Sequence, residues 1–260
     1  MNYFAFPRLS NRVWKVWLRN KDVFMKTYKV NFLPPLLEPI LYLFALGFGL
    51  GSFINVIEGV SYPQFIAPAL ISISIMNSAF FECTYGSYVR MYYQKTFDAI
   101  IATPLCIEEV IAGELLWGAT RSFIHATIML IVIAAFGLIK LPYALMIIPF
   151  SFIAGFLFAT IGMCFTAITP NINALSYPTF LFITPMFLFS GTFFPLSLLP
   201  VPVQYFALAV LPLTHVVSIV RSLTLANFSG LLLLSFAWIV LVTIVLFLLS
   251  VNLMKRRLIV

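Results

Sequence analysis

Apolar residues run almost unbroken through six stretches of this chain, near residues 32–54, 65–89, 110–137, 143–168, 174–194 and 229–253. Each reaches the roughly 20 residues a helix needs to cross the hydrocarbon core of a bilayer, so the pattern predicts six membrane-spanning helices. Ahead of them, Leu9, Val13, Val16 and Trp17 recur at helical spacing, while Arg8, Arg12, Lys15 and Arg19 form a stripe on another face. That pattern predicts an amphipathic helix within residues 1–30, lying along a membrane interface. Two roles fit such a helix: a simple anchor, or an elbow that passes movement of a soluble partner to the spans.

The segment 194–227 breaks the pattern, because it is apolar yet cut by Pro195, Pro200, Pro202 and Pro212. The pieces left, Val203 to Leu211 and Leu213 to Leu225, are too short to span. Two short helices that dip into the outer leaflet and return before the last span satisfy this constraint; a seventh and an eighth crossing is the competing reading.

Composition agrees with a membrane protein: 62% of residues are hydrophobic, 9% are charged and the mean hydropathy is +1.07. The net charge of +7 would suit a nucleic-acid binder if the basic residues clustered on a polar domain, but they bracket apolar spans instead, which excludes that partner. Seven precede the first span (Arg8, Arg12, Lys15, Arg19, Lys21, Lys26, Lys29), two follow the second (Arg90, Lys95) and three close the chain (Lys255, Arg256, Arg257). With both termini in the cytoplasm these twelve lie inside, against Lys140 and Arg221 outside and Arg121 within the membrane. The first thirty residues lack the apolar core of a cleavable signal peptide, so the N-terminus is expected to be kept. Cys83, Cys106 and Cys164 lack the spacing of a zinc site or a disulfide framework.

Charges inside spans are costly, about 2.5–3.5 kcal/mol each, and they mark the first candidate site. Glu38, Glu82, Glu114, Arg121 and His125 fall within predicted spans, and Glu114, Arg121 and His125 share one face of the third with Gly118. At 1.5 Å per residue, Arg121 lies roughly 16 Å in from Val110, Glu82 roughly 12 Å in from Arg90 and Glu38 roughly 10 Å in from Asn31. A buried pairing of Arg121 with Glu82 or Glu38 is therefore expected, serving either to lock helix packing or to line a path for substrate or protons. Tyr85, Tyr88 and Tyr92 recur at the cytoplasmic end of the second span, as an interface belt or as a stacking platform for sugar rings at a pore entrance. Gly47 and Gly51 mark a close helix contact in the first span.

The connection 90–109 is the one sizeable cytoplasmic loop after the N-terminus. Asp98 to Ala102 predicts a short helix ended by Pro104, with Phe97, Ile100, Ile101 and Leu105 exposed. An apolar patch facing water either folds back on the bundle or receives a soluble partner. Neither a G-x-x-x-x-G-K-[ST] loop nor an H-E-x-x-H or G-x-S-x-G motif occurs, and only two histidines exist. The chain therefore has no phosphate-binding loop and no recognisable hydrolase constellation, and no cofactor is expected on it.

The basic start, the NFLPPLLEPILYL entry, YPQFIAPALISISIMNSAFFECTYG, FDAIIATPLCIEEVIAGEL, FSGTFFPLSLLP and LPLTHVVSIVRSL together resemble the permease subunits of ABC-2 type exporters. Among these the match is closest to nodulation-type lipooligosaccharide export permeases, in motif order and over essentially the whole chain. The resemblance implies an all-α, single-domain bacterial inner-membrane protein over 1–260 with a six-span bundle at 32–254. It also implies a second permease copy, as a homodimer, and two copies of a P-loop ABC ATPase that binds ATP and Mg. The loop residues Phe97, Asp98, Ile100, Ile101, Pro104 and Leu105 would then form the coupling helix seated on the ATPase, and the re-entrant helices would close the exit. Relatives carry polysaccharides, lipid-linked sugars, teichoic acids or drugs. An ion-coupled secondary transporter would instead show inverted repeats, which the two halves lack. A membrane-embedded transferase would need an acid/base or nucleophile constellation that is missing.

Overall fold

The computed structural model describes residues 6–7, 9–54, 56–227 and 230–259, without the side chains of residues 30, 34–36, 38, 39, 48, 52 and 231. Arg8 and the Glu38 side chain thus lie outside the described residues. The chain is helical almost throughout. Helix α1 (Val13–Lys26) leads into α2 (Tyr28–Tyr42), which continues through a π-helical stretch, Leu43–Gly49, and a 3-10 turn, Leu50–Ser52. A two-residue antiparallel hairpin, β1 (Val56–Ile57) and β2 (Val60–Ser61), comes next, turning at Glu58 and Gly59, both with positive φ. Helix α3 (Tyr62–Phe81) starts at a capping box of Ser61 and Gln64 and runs on through π turns at Glu82–Gly86 and Val89–Tyr93.

Lys95, in the left-handed region, breaks the chain before the short α4 (Thr96–Ile101). Then come α5 (Ile107–Ala135), α6 (Ile147–Ile168), α7 (Ile172–Phe189, with an internal π turn), α8 (Val201–Val210), α9 (Pro212–Leu225) and α10 (Leu231–Leu258). Five of these helical runs are long and apolar enough to cross a membrane: 62–93, 107–135, 143–168, 172–189 and 232–258. They coincide with five of the six spans expected from hydropathy. The sixth expectation, 32–54, falls on the helical run 28–52. Helices α8 and α9 meet at 91° across Leu211, and neither arm alone is long enough to span.

Helix α3 is the core of the bundle, wrapped by α5, α6 and α9, whereas α7 and α10 turn most of their apolar surface outward. Small residues set these spacings. A Cβ on Gly155 of α6 would come within 2.4 Å of the Ser122 Cβ on α5, and one on Gly162 within 2.8 Å of the Phe80 carbonyl oxygen on α3. Gly47 and Gly51 both pack on Pro63 at the start of α3, which makes the contact expected of that pair. At the far side His215 ties α9 to its neighbours. Its ring stacks on Trp238 at 4.3 Å, and its nitrogens lie 3.1 Å from Ser235 Oγ and 2.8 Å from the Leu208 carbonyl.

The two ends of the bundle differ in charge. One carries α1, α4, Arg90, Lys95 and Lys255–Arg257 and is here the basic end; the other carries the β-hairpin and the α8–α9 bend. Helix α1 does not simply offer its apolar face to lipid. Val16, Asn20 and Phe24, spaced by four, are buried against the base of α5, where Gly113 leaves room for Val16. Trp17 donates to Thr120 Oγ1 at 2.8 Å, while Trp14 and Leu18 stay exposed.

Candidate functional site

Six polar side chains are drawn into the bundle near the basic end. The α5 face that carries Glu114, Gly118 and Arg121 lies on α3, and Gly118 admits Cys83 where any larger residue would collide. Arg121 donates to Glu82, one of the two partners expected for it. The other Glu82 oxygen takes Arg90 Nη1 at 2.8 Å. Arg90 also reaches Glu114 Oε2, at 2.6 Å from Nη2 and 2.8 Å from Nε. Ser87 and Asn20 complete the Glu114 shell at 2.8 and 2.7 Å, so this carboxylate, 1% exposed, is fully satisfied. Two arginines thus neutralise two carboxylates, which removes most of the penalty of burying charge.

The sequence assigned Arg90 to a cytoplasmic loop, and here the structure corrects it. The π turns at Glu82–Gly86 and Val89–Tyr93 extend α3 past residue 89 and rotate Arg90 inward. Asn20 was not anticipated either; a polar residue spaced four from Val16 and Phe24 was the available signal.

The network continues to the surface. Arg19 donates to Asn20 Oδ1 at 3.0 Å and to Thr96 Oγ1 of α4 at 3.3 Å. Six contacts therefore link α4 to mid-bundle in one line: Thr96, Arg19, Asn20, Glu114, Arg90, Glu82, Arg121. Burial draws the Arg19 pKa below its ordinary value, against the opposing pull of Glu114.

Two cavities flank the Glu82–Arg121 pair. One, of about 380 Å³, is lined by Arg19, Asn31, Tyr85, Gln94, Trp117 and Arg121 among others. The second, of about 360 Å³, is lined by Ser74, Asn77, Ser78, Phe81, Arg121 and His125. Arg121 Nε and His125 Nε2 are buried and make no hydrogen bond among the described residues, so both retain hydrogen-bonding capacity beside these cavities.

The three tyrosines do not form one platform. Tyr85 lines the first cavity and packs on Phe81, with ring centroids 6.1 Å apart. Tyr88 is buried, stacks on Tyr92 at 4.7 Å and donates to the Pro170 carbonyl at 3.1 Å. Arg257 covers both rings, 5.5 and 5.1 Å from their centroids, donates to Tyr92 Oη and also bonds the Thr166 carbonyl. Tyr88 and Tyr92 therefore clasp the end of α10 to the end of α6. The same π turns that swing Arg90 inward put these rings on another face than α-helical spacing implied.

The surface loop is also corrected in part. Phe97 is fully buried, a bolt holding α4 to the bundle, because the left-handed turn at Lys95 points that ring back into the core. Ile100, Ile101 and Leu105 are half-buried, while Asp98, Ala99, Ala102, Thr103 and Pro104 are exposed. Arg12 of the segment before α1 donates to the Pro104 carbonyl and Ser10 to Glu109, so this segment is fastened to the α4–α5 connection and the first turn of α5.

Comparison with known proteins agrees with this architecture. The family model for ABC-2 type transporters matches residues 9–225. Nodulation protein J of Sinorhizobium fredii is 34% identical over 243 residues, covering 94% of this chain and 92% of the relative. Nodulation protein J of Rhizobium leguminosarum bv. viciae is 36% identical over 243 residues, 94% and 93% of the two chains. The inner membrane transport permease YadH of Escherichia coli is 27% identical over 192 residues, 71% and 72% of the two. With its apolar helices and a family match across most of its length, this integral membrane protein belongs to the ABC-2 type transporter family and is a transport subunit, not itself catalytic.

Proposed function

We propose that the chain is the membrane half of an ATP-driven exporter for an amphiphilic glycoconjugate, such as a lipooligosaccharide or a polysaccharide. The observation that carries this reading is the polar line from Thr96 on α4 to Arg121 between the two cavities. A surface helix held rigidly and wired to mid-bundle charges is a lever for work done outside the membrane. In this reading the basic end faces the cytoplasm. The exposed rim of α4, formed by Asp98, Ala99, Ala102, Thr103 and Pro104, seats on a P-loop ABC ATPase. That partner, in two copies, binds ATP and Mg, while this chain binds no nucleotide. Trp14 and Leu18 of α1 rest at headgroup level and α1 serves as the elbow between ATPase and spans.

Two permease copies facing each other across the Arg121 cavities enclose the path. There Arg121 Nε, His125 and Asn77 offer hydrogen bonds to hydroxyl-rich cargo, and Tyr85 and Trp117 offer ring faces. The α8–α9 bend re-enters from the outer side without crossing and forms the exit. Nodulation protein J, the name carried by the relatives at 34% and 36% identity, leaves the cargo to be read from the site; its mix of aromatic and polar groups suits a sugar with a lipid tail.

The test is reconstitution. Purified alone, the chain should hydrolyse no ATP; with its ABC ATPase in proteoliposomes it should show hydrolysis and ATP-dependent transfer of lipooligosaccharide across the bilayer. Robust hydrolysis by the permease free of ATPase, or transfer that needs no ATPase, would overturn the assignment.

A further inference from the structure

At the hairpin end, remote from the ionic line, α9 lines a cavity of about 490 Å³ with one face made of Thr214, Ser218, Arg221 and Ser222. The last three lie four, seven and eight residues beyond the first, so a single helical stripe presents three hydroxyls and one guanidinium. Arg221 is held from two sides. Its guanidinium lies 4.0 Å from the Phe65 ring centroid, and Nη2 donates to the Gly191 carbonyl at 2.9 Å. Gly191 sits at φ +71, a conformation that other residues rarely adopt, and so turns this carbonyl to the arginine.

The rest of the arginine is unspent. Its Nε is buried without a hydrogen bond, and so are Ser190 Oγ and Thr214 Oγ1, in residues 2% and 5% exposed. Three of the five such atoms among the described residues therefore belong to residues lining this one cavity. Among the described residues Arg221 has no carboxylate within 4.0 Å; Glu58 reaches the same cavity from the exposed hairpin tip but makes no ion pair with it. Unpaired charge at such a position calls for a counter-ion. Donors of this kind, a rigid guanidinium and flanking hydroxyls, match the oxygens of a tetrahedral anion and offer little to a cation or a hydrocarbon.

We infer that this cavity is a binding site for a phosphate or sulfate ester group, held by Arg221 with Ser190 and Thr214. The group is borne either by a lipid headgroup of the adjoining leaflet or by a soluble anion. The site does not depend on the cargo proposed above. Glu58 is its built-in competitor, a carboxylate able to lean over the same guanidinium.

The experiment places a cysteine at Ser218 in a Cys106→Ala background and follows its labelling by a neutral maleimide. In phosphatidylcholine nanodiscs, inorganic phosphate should slow labelling saturably while the same ionic strength of chloride does not. Replacing part of the phosphatidylcholine with phosphatidylglycerol, without phosphate, tests the lipid source: slowing in this arm alone assigns the site to a headgroup, and slowing by phosphate assigns it to a soluble anion. Arg221→Gln should raise the half-saturating concentration at least about tenfold, the loss expected of a charge-assisted contact. Arg221→Lys should keep part of the effect, and Glu58→Gln, at the exposed hairpin tip, should lower the half-saturating concentration. Labelling indifferent to both phosphate and phosphatidylglycerol, or slowed equally in Arg221→Gln and Glu58→Gln, would overturn the site.

Discussion

Replacing Arg90 with Gln should be the most damaging single change in the ionic line. Arg90 stands between two carboxylates, 2.8 Å from Glu82 and 2.6 Å from Glu114, and both are nearly closed to solvent. Without it the four-charge cluster loses its neutrality. Glu82 keeps Arg121, but Glu114, 1% exposed, keeps only the neutral donors of Asn20 and Ser87. Stranding a buried carboxylate in this way costs about 3–5 kcal/mol. Arg121→Gln is the matched control, because Glu82 still holds Arg90; its cost should be about 1.5 kcal/mol, that of a hydrogen bond to a charged group. Glu114→Gln added to Arg90→Gln removes the stranded charge, so the double change should be less harmful than the sum of the singles by about 2 kcal/mol. Reversible unfolding in mixed micelles of dodecyl maltoside and dodecyl sulfate measures the native chain, the three single variants and the double variant on one scale. If Arg90→Gln costs no more than Arg121→Gln, or if the Arg90/Glu114 cycle is additive within about 0.5 kcal/mol, the reasoning fails.

The remaining expectations concern packing, docking and topology. Phe97→Ala empties a fully buried site, should cost about 3–5 kcal/mol in the same unfolding assay and should release the ATPase in pull-downs. Asp98→Lys should weaken ATPase capture with melting unchanged, since Asp98 is exposed and its 3.7 Å contact to Lys95 is worth little. Gly155→Ala drives a Cβ to within 2.4 Å of Ser122 and should lose about 1–3 kcal/mol, whereas Gly230→Ala, with nothing nearby, should lose none. Cysteines at Glu58 and Leu196 should label from outside intact cells, and those at Asp98 and Arg257 only after permeabilisation; outside labelling at Asp98 would invert the orientation.

Hydropathy located the spans because burial in lipid and burial in protein ask for the same side chains. That equivalence also hid the role of α1: Val16 and Phe24 look alike whether they meet acyl chains or α5, and only the glycine at 113 shows where they dock. Asn20 reads as an ordinary polar position until Glu114 is beside it. Depths along straight helices narrowed the Arg121 partner to Glu82 or Glu38, and the structure selects Glu82. Arg90, Tyr88 and Tyr92 could not be placed in this way, since two π turns lie between the regular part of α3 and its end. Each such turn inserts a residue and rotates the rest of the helix, and no hydropathy period records it. Phe97 turned inward for a related reason, the left-handed Lys95, a conformation that lysine seldom signals. The proline-cut segment was legible, with arms at Val201–Val210 and Pro212–Leu225 close to those read from the prolines. The Arg221 cavity was not, because its donors come from α9 and from the turn at Ser190 and Gly191, about 30 residues apart in sequence.

The central claim is that ATP hydrolysis in the partner ATPase, received at α4, reaches the Arg121 cavities through the line of polar contacts. Asn77, which lines the second of these cavities, is the reporter. In proteoliposomes holding the permease and its ABC ATPase, the maleimide labelling rate of Asn77→Cys is measured with and without ATP, in the otherwise native chain and with Glu114→Gln. The account predicts that ATP changes the rate in the native chain and that Glu114→Gln abolishes the change while the ATPase stays bound and active. A labelling rate indifferent to ATP, or an ATP response that survives Glu114→Gln in full, would contradict it.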